Sequence, residues 1–427
     1  MSSIKIKLWN KPIGYVYWDD KNNRSIVELD ENYQKSPLDV SPLLLNKSVK
    51  IHSSSIYEPV FQGLIPMIAD SLPDYFGNRV FHTWLEQNNI LESDLNPIER
   101  LMYIGKRGVG ALEYEPGKTI INTIETVDFS EIVNISEKII SNKYAFKDYI
   151  DNQQALQNIL TIGSSVGGAQ AKVLVAIHPI TGEIKAGDIL HDDSLFEYFI
   201  VKLGHDSETN WGKEKTSVEY VYFLMAKLAG LDIEESKLIK NEGNTHFITK
   251  RFERKNGMKI HFQTLLGLTG YQNRAIPFSY EQCFIVLEQL KLKHSDKERL
   301  FRQLVFNVSS CNMDDHMKNI GFVMHQDGEW KLAPSYDLTY PFDPYLPSMK
   351  FHKMNINGKS KNIQLEDVLN IAKKVGVRNP KGIIEQVLYA VLCFEKLSNE
   401  FQISEKSKSI IWNDIKEATN RLKSISK

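Results

Sequence analysis

Between Thr161 and Phe252 the chain passes through a glycine-rich turn, two strand-like runs, a helix and another strand, and beyond that stretch its patterning is mostly helical. Thr161 to Gly168 reads TIGSSVGG, Lys172 to His178 reads KVLVAIH, and Phe199 to Leu203 reads FIVKL. Gly204 to Lys215 reads as a polar loop. Ser217 to Leu228 has helical periodicity between a Ser217 cap and Gly230, and Thr245 to Phe252 returns to strand. Strands gathered in one stretch and helices in the next predict an α+β fold rather than an alternating α/β one. The expected architecture is bilobal: residues 121–255 form a small lobe and residues 256–427 a mainly helical large lobe. Residues 1–120 form an N-terminal subdomain. It opens on the hairpins IKIKLW, YVYW and SIVEL and continues into helical patterns from Phe61 to Leu85, broken at Pro73 and Gly77, and from Asn96 to Tyr103.

A chain of 427 residues exceeds the usual size of a single core, which agrees with that division. The 52 basic and 53 acidic side chains nearly cancel, so whole-chain charge neither demands nor excludes nucleic acid. Three scattered cysteines, Cys283, Cys311 and Cys393, suit a reducing compartment and exclude a disulfide framework. The alternating N-terminus is unlike a secretion signal, and no run reaches the eighteen apolar residues of a membrane span. The expected location is the cytoplasm.

In the large lobe, Phe306 to Phe322 reads FNVSSCNMDDHMKNIGF. Phosphoryl transfer to a hydroxyl needs a carboxylate to orient and deprotonate the acceptor, and amide or carboxylate oxygens to hold a metal near the phosphates. Asp314 and Asn319 have the five-residue separation of the base and metal-binding asparagine of a protein-kinase catalytic loop. Asp337 follows on the far side of a hairpin predicted from Ile320 to Leu332 around Asp327-Gly328, where a second metal-binding acid belongs. Lys318 could neutralise a transferring phosphoryl group; His316 is a candidate at the cofactor as a metal ligand, though it reads first as a local brace of the loop. The bland alternative makes these acids ordinary turn residues.

The small lobe offers complementary parts. Lys202 is an ammonium in an apolar strand, which needs a reason. Glu219, seventeen residues on, could hold it as a helix glutamate holds the ATP-contacting lysine of a kinase. The turn Gly163, Ser164, Ser165, Val166, Gly167 and Gly168, followed by Lys172, could present backbone N–H groups to phosphate. It does not fit G-x-x-x-x-G-K-[ST], which disfavours a Walker-type nucleotidase. Histidines such as His52, His178, His261 and His352 show no metal-site spacing.

Five stretches in order, SVGGAQAK (165–172), ITKRFER (248–254), NMDDHMKN (312–319), PSYDL (334–338) and HKMNINGK (352–359), resemble the HipA family of serine/threonine kinases, toxin components of bacterial toxin–antitoxin modules. GLIPMIADSLPDYFGNR (63–79) and YIGKRGVGAL (103–112) are similar to that family's N-terminal subdomain. The resemblance spans nearly the whole chain and implies a bilobal protein-kinase-like fold. It implies Asp314 as catalytic base, Asn319 and Asp337 as Mg2+ ligands, Lys202 on the ATP phosphates, and a hinge at Lys250 and Phe252 that receives adenine. It also implies autophosphorylation at Ser165 that displaces the glycine-rich loop, a change a doubly charged group could produce. A cellular protein acceptor follows, an aminoacyl-tRNA synthetase being one by family analogy. So does a HipB-like DNA-binding antitoxin through which DNA would be met indirectly. A small-molecule kinase and a catalytically silent ATP-binding regulator are the competing readings.

Overall fold

Alternation sets the first sheet. In β1 (Ser3–Leu8) the apolar Ile4, Ile6 and Leu8 are buried, while Lys5 and Lys7 point the other way. β1 pairs antiparallel with β2 (Lys11–Asp19), the register shifting at Ile6/Lys7, and β2 pairs with β3 (Arg24–Leu29). β4 (Ile51–Ser53) and β5 (Leu112–Glu115) complete a five-stranded sheet in the order β4-β3-β2-β1-β5. Gly14 lies opposite Leu29, and a Cβ there would stand 2.2 Å from the carbonyl oxygen of Glu28. The sheet can close at that point only around glycine.

The computed structural model of the chain describes residues 3–54, 59–73, 75–118, 130, 133, 136, 170–186, 195–204, 211–241, 243–271, 276–342 and 350–423. They form two compact units. The first comprises residues 1–203, 248–270 and 323–329, and the second 204–247, 271–322 and 330–427.

In the first unit, Pro97–Ile104 is a helix closed by a full capping box of Asn96 and Glu99. The pattern from Phe61 to Leu85 resolves into Pro66–Ala69 and Tyr75–Gln87, and Gly77 lies inside the second helix rather than interrupting it. The N-terminal segment is joined to residues 248–270 by buried polar contacts. Lys259 Nζ meets Glu113 at 2.9 Å, and Arg254 donates to the carbonyls of Gly108 and Gly110, each at 2.8 Å. Asp70 accepts at 2.7 Å from both the N–H and the hydroxyl of Thr264, the N-cap of Leu265–Thr269. In the same unit, β6 (Lys172–Ile177) pairs antiparallel with β7 (Ile184–Ala186) on one side and β8 (Glu197–Lys202) on the other.

The second unit is mainly helical around a buried core. Trp211–Leu228 begins six residues before the expected Ser217 cap, so part of the expected polar loop is helix. Ser217 and Glu219 are buried in the body of that helix, not at its start. A short run of serine and glutamate resembles a helix entry, but the packing of Trp211 and Val218 decides where the helix starts. Tyr280–Gln289 and His294–Ser309 lead to the site. Leu365–Val375, Pro380–Leu392, Phe394–Ser398 and Glu405–Leu422 follow it. No helix among the described residues is long and apolar enough to cross a membrane.

Candidate active site

In the second unit, His294–Ser309 delivers the chain to a loop that starts at Ser310 and ends in the single 3-10 turn Met317–Asn319. Cys311, with φ 57°, turns the chain sharply out of the helix. The strand Gly321–Met324 then leaves the turn. His316 is the N-cap: its Nδ1 accepts from the N–H of Lys318 at 3.2 Å, which is the bracing contact expected of it. Its Nε2 lies 3.8 Å from Asp314 Oδ2. One 3-10 turn brings Asn319 back beneath Asp314, and the Asn319 side-chain N–H donates to the Asp314 carbonyl at 2.8 Å. That bond fixes the amide and turns Oδ1 to the opposite side.

Asp337 reaches the same place from a different part of the chain. Trp330–Leu332 brings the backbone back, and Ser335 N–H donates to Asp232 O at 2.7 Å. Tyr336 O–H donates to the Lys318 carbonyl at 2.7 Å and so ties PSYDL to the loop. Asp337 itself has φ 57°, a left-handed conformation that aspartate tolerates better than most residues.

The Asp314 carboxyl is held above its ordinary value first by burial and also by the negative charge of Asp337, while His316, Lys353 and Lys215 pull it down. The side chain nevertheless stays 46% exposed, so an acceptor can reach it. Asp314 and Asn319 are therefore brought together, with His316 and Lys318 on the same loop and Asp337 one residue after the Tyr336 that is tied to it. Asn319 Oδ1 and the Asp337 carboxylate are hard oxygen donors of the kind magnesium selects, and they fit a Mg2+ ion. No group of three or more His, Cys, Asp or Glu side chains suited to a metal occurs among the described residues. Magnesium in phosphoryl-transfer sites takes one or two protein ligands plus phosphate oxygens, so no such cage is required.

The first unit holds the other expected residues. Lys172 and Lys202 are direct cross-strand partners of β6 and β8, and both are buried. Opposite residues of an antiparallel pair share a face, so two ammonium stems stand side by side, an arrangement unfavourable without negative charge nearby. This pairing escaped the sequence because thirty residues separate the two lysines. Lys250 is half-exposed and its ammonium meets Glu197, while the Phe252 ring lies 5.4 Å from that of Phe262. Glu219 is buried in the second unit. Gly163, Ser164, Ser165, Val166, Gly167 and Gly168 lie outside the described residues.

Sequence reasoning also passed over Asp315, Tyr336, His352 and Lys353 as working parts of the site. An Asp-Asp pair signals that one of the two faces inward, but not which one.

An α+β chain with a loop of paired acids, an amide and a lysine belongs to the kinase-like class of folds. Residues 4–115 match the HipA N-terminal domain and residues 164–392 the HipA-like C-terminal domain; the chain belongs to the HipA family. Its fold is similar to that of Shewanella oneidensis HipA, solved with HipB and operator DNA, at a TM-score of 0.68 and 14% identity over 98% of this chain and 96% of that one. The Helicobacter pylori proinflammatory kinase CtkA gives a TM-score of 0.38 at 16% identity, covering 53% of this chain and 87% of that one. A protein of Haemophilus influenzae that bears the name of a kinase is 27% identical over 135 residues. That match takes in 28% of this chain and 39% of the relative's length.

Proposed function

We propose that the chain is an ATP-dependent serine/threonine kinase of the toxin type, transferring the γ-phosphate to a cellular protein. The observation that carries this reading is an exposed Asp314 whose loop is closed by the Asn319 amide and tied, through Tyr336 and the Lys318 carbonyl, to the segment that bears Asp337. A base open to an acceptor, beside a second acid and an amide oxygen, is what phosphoryl transfer to a hydroxyl requires.

In this reading the Asp314 carboxylate accepts the proton of a serine or threonine hydroxyl. The freed oxygen forms a bond to the γ-phosphorus as the bond to the β-phosphate oxygen breaks, and ADP leaves with that electron pair. Asn319 and Asp337 hold magnesium, which when bound neutralises charge on the phosphate oxygens. Lys318 adds positive potential beside the base. In the first unit Lys202 and its partner Lys172 supply paired ammonium groups for phosphate oxygens, and the glycine-rich stretch 163–168 is a further phosphate-binding segment. Lys250 and Phe252 bound the adenine hinge through backbone groups. Ser165 is the autophosphorylation site that turns the enzyme off.

The partners follow the same line. The Shewanella protein was solved with HipB and operator DNA, which supports a HipB-like antitoxin here and indirect contact with DNA. An aminoacyl-tRNA synthetase is the proposed acceptor class, and growth arrest its consequence.

The test is label transfer from ATP, with magnesium and a bacterial lysate, by the protein and its Asp314→Ala and Asp337→Ala variants. Both substitutions should abolish labelling of the acceptor. Transfer that survives both would reject the assignment. Mass spectrometry should find phosphate on Ser165; phosphate only elsewhere, with activity lost, would remove the proposed switch.

A further inference from the structure

Asp314 and Asp315 are adjacent and have opposite fates. Asp314 is 46% exposed, whereas the Asp315 side chain is 0% exposed. A buried carboxylate is tolerated only when donors saturate it, and Asp315 has three. Oδ1 accepts from the backbone N–H of Lys353 at 2.8 Å. Oδ2 accepts from the Tyr280 hydroxyl at 3.1 Å and meets His352 Nδ1 at 2.9 Å, the imidazole being 3% exposed.

The donors come from two segments, a helix and the strap that carries both His352 and Lys353. Tyr280 opens the helix Tyr280–Gln289, and its oxygen accepts from Asn307 Nδ2 at 2.9 Å. Asn307 Oδ1 in turn accepts from Asn312 Nδ2 at 3.0 Å. The bonds run in one direction, from amide to amide to phenol to carboxylate, and a chain of this polarity strengthens each member. The segment carrying His352 is held independently. Lys353 N–H also donates to the Met313 carbonyl at 3.2 Å, while Asn355 exchanges bonds with Phe278 and Tyr280. The strap 352–355 thus grips the loop on both sides of Asp314.

We propose that Asp315 and His352 are positioning residues that hold Asp314 in its working place; this rests on the reading of Asp314 as the base. The physical reason is leverage across one peptide. With the Asp315 carboxylate pinned by three donors, the backbone at 314 cannot rotate, and neighbouring side chains on an extended stretch face opposite ways. Releasing the inner acid lets the outer one wander. A displacement of about 1 Å of a catalytic group costs up to about a hundredfold in rate. Neither Asp315 nor His352 touches substrate in this proposal.

The experiment compares His352→Leu, which removes the donor, with His352→Asn, whose side-chain N–H falls near the place of imidazole Nδ1. Two readouts are taken on the full chain: steady-state label transfer, and amide hydrogen exchange across residues 313–316. His352→Leu should lower kcat roughly tenfold to a hundredfold with the KM for ATP little changed. It should also speed exchange across 313–316, because the loop loses its anchor. His352→Asn should recover most of both. Wild-type kcat and exchange in His352→Leu, or equal damage in His352→Asn, would overturn the proposal. Should His352→Leu fail to fold, Tyr280→Phe removes one donor and keeps the ring; a wild-type kcat and exchange in that variant overturns it equally. Full transfer by Asp314→Asn, or a wild-type chain silent toward every acceptor, defeats the kinase reading alone. The exchange comparison still judges the positioning pair.

Discussion

The side-chain amide of Asn319 donates to the main-chain carbonyl of Asp314 at 2.8 Å, so the proposed metal ligand and the proposed base are one mechanical unit. A turn of five residues would otherwise be free to breathe. With the amide nitrogen committed to this bond, only the amide oxygen is left to face a cation.

Asn319→Asp tests that division of labour. The change keeps an oxygen for the metal but replaces the donor by a second acceptor facing the Asp314 carbonyl. Stability should drop by about 1–3 kcal/mol, because a carboxylate then faces the Asp314 carbonyl and leaves only the His316 N–H donating to it, read from urea midpoints, and phosphate transfer should fall at saturating magnesium. Unchanged stability would mean that the bond contributes nothing to the loop.

Asp314 should set the acid limb of the pH profile. Burial and the Asp337 charge raise its proton affinity, and the base works only when ionised, so kcat/KM should rise with pH through a midpoint above the ordinary carboxylate range. The stability sign follows: between its unfolded and folded values the native state binds more protons, so this group's contribution declines as pH rises through that window. Lys353→Met removes a charge that pulls Asp314 down, and should move the limb further up. A limb that stays put or moves down in the variant would contradict the electrostatic picture.

Acid sensitivity of the first unit should trace to His261. Burial pushes this imidazole down to about 4 from an ordinary 6.5, with a weaker upward pull from the Val40 carbonyl. The unfolded chain takes up the proton first, so stability falls as pH drops through about 6.5 and stops falling near 4. The loss reaches roughly 3 kcal/mol at most. His261→Gln should flatten this dependence in urea titrations at pH 5 and pH 7.5; an equal slope in the variant would assign the sensitivity elsewhere.

The buried pair Lys259–Glu113, 2.9 Å apart, should be costly to break from one side. Lys259→Met takes this partner from a buried carboxylate, at a cost of about 3–5 kcal/mol. The double variant Lys259→Met, Glu113→Leu should regain most of that, since a well-packed apolar pair often replaces a buried ion pair without loss. Denaturation midpoints of the two variants check it. Equal damage in both would show that packing, not charge, is at stake.

Much of the local structure was legible in the residues. The helical patterning read beyond Phe252 is met by helices such as Leu365–Val375, closed by Gly376 in the left-handed region, and the hairpin around Asp327-Gly328 joins the expected strands. The start of Trp211–Leu228 was misread, because caps are local signals that burial can override. The spacing of Asp314 and Asn319 was also readable, since one tight turn separates them. The roles of the residues around them were less so: Asp315 and Asp314 look identical in the chain, and only burial distinguishes a structural acid from an exposed one.

By itself the sequence determined the α+β class, the strand and helix periodicities, and the loop in which an acid and an amide recur five residues apart. All of these depend on backbone geometry over a few residues, which composition and spacing encode directly. The tertiary structure decided which acid faces out, that Tyr336 is tied to the Lys318 carbonyl, that Lys172 stands against Lys202, and that His352 reaches Asp315 from 37 residues away. Those pairings depend on how distant segments pack and which charges must be saturated when water is excluded. No pattern local to either partner carries that information.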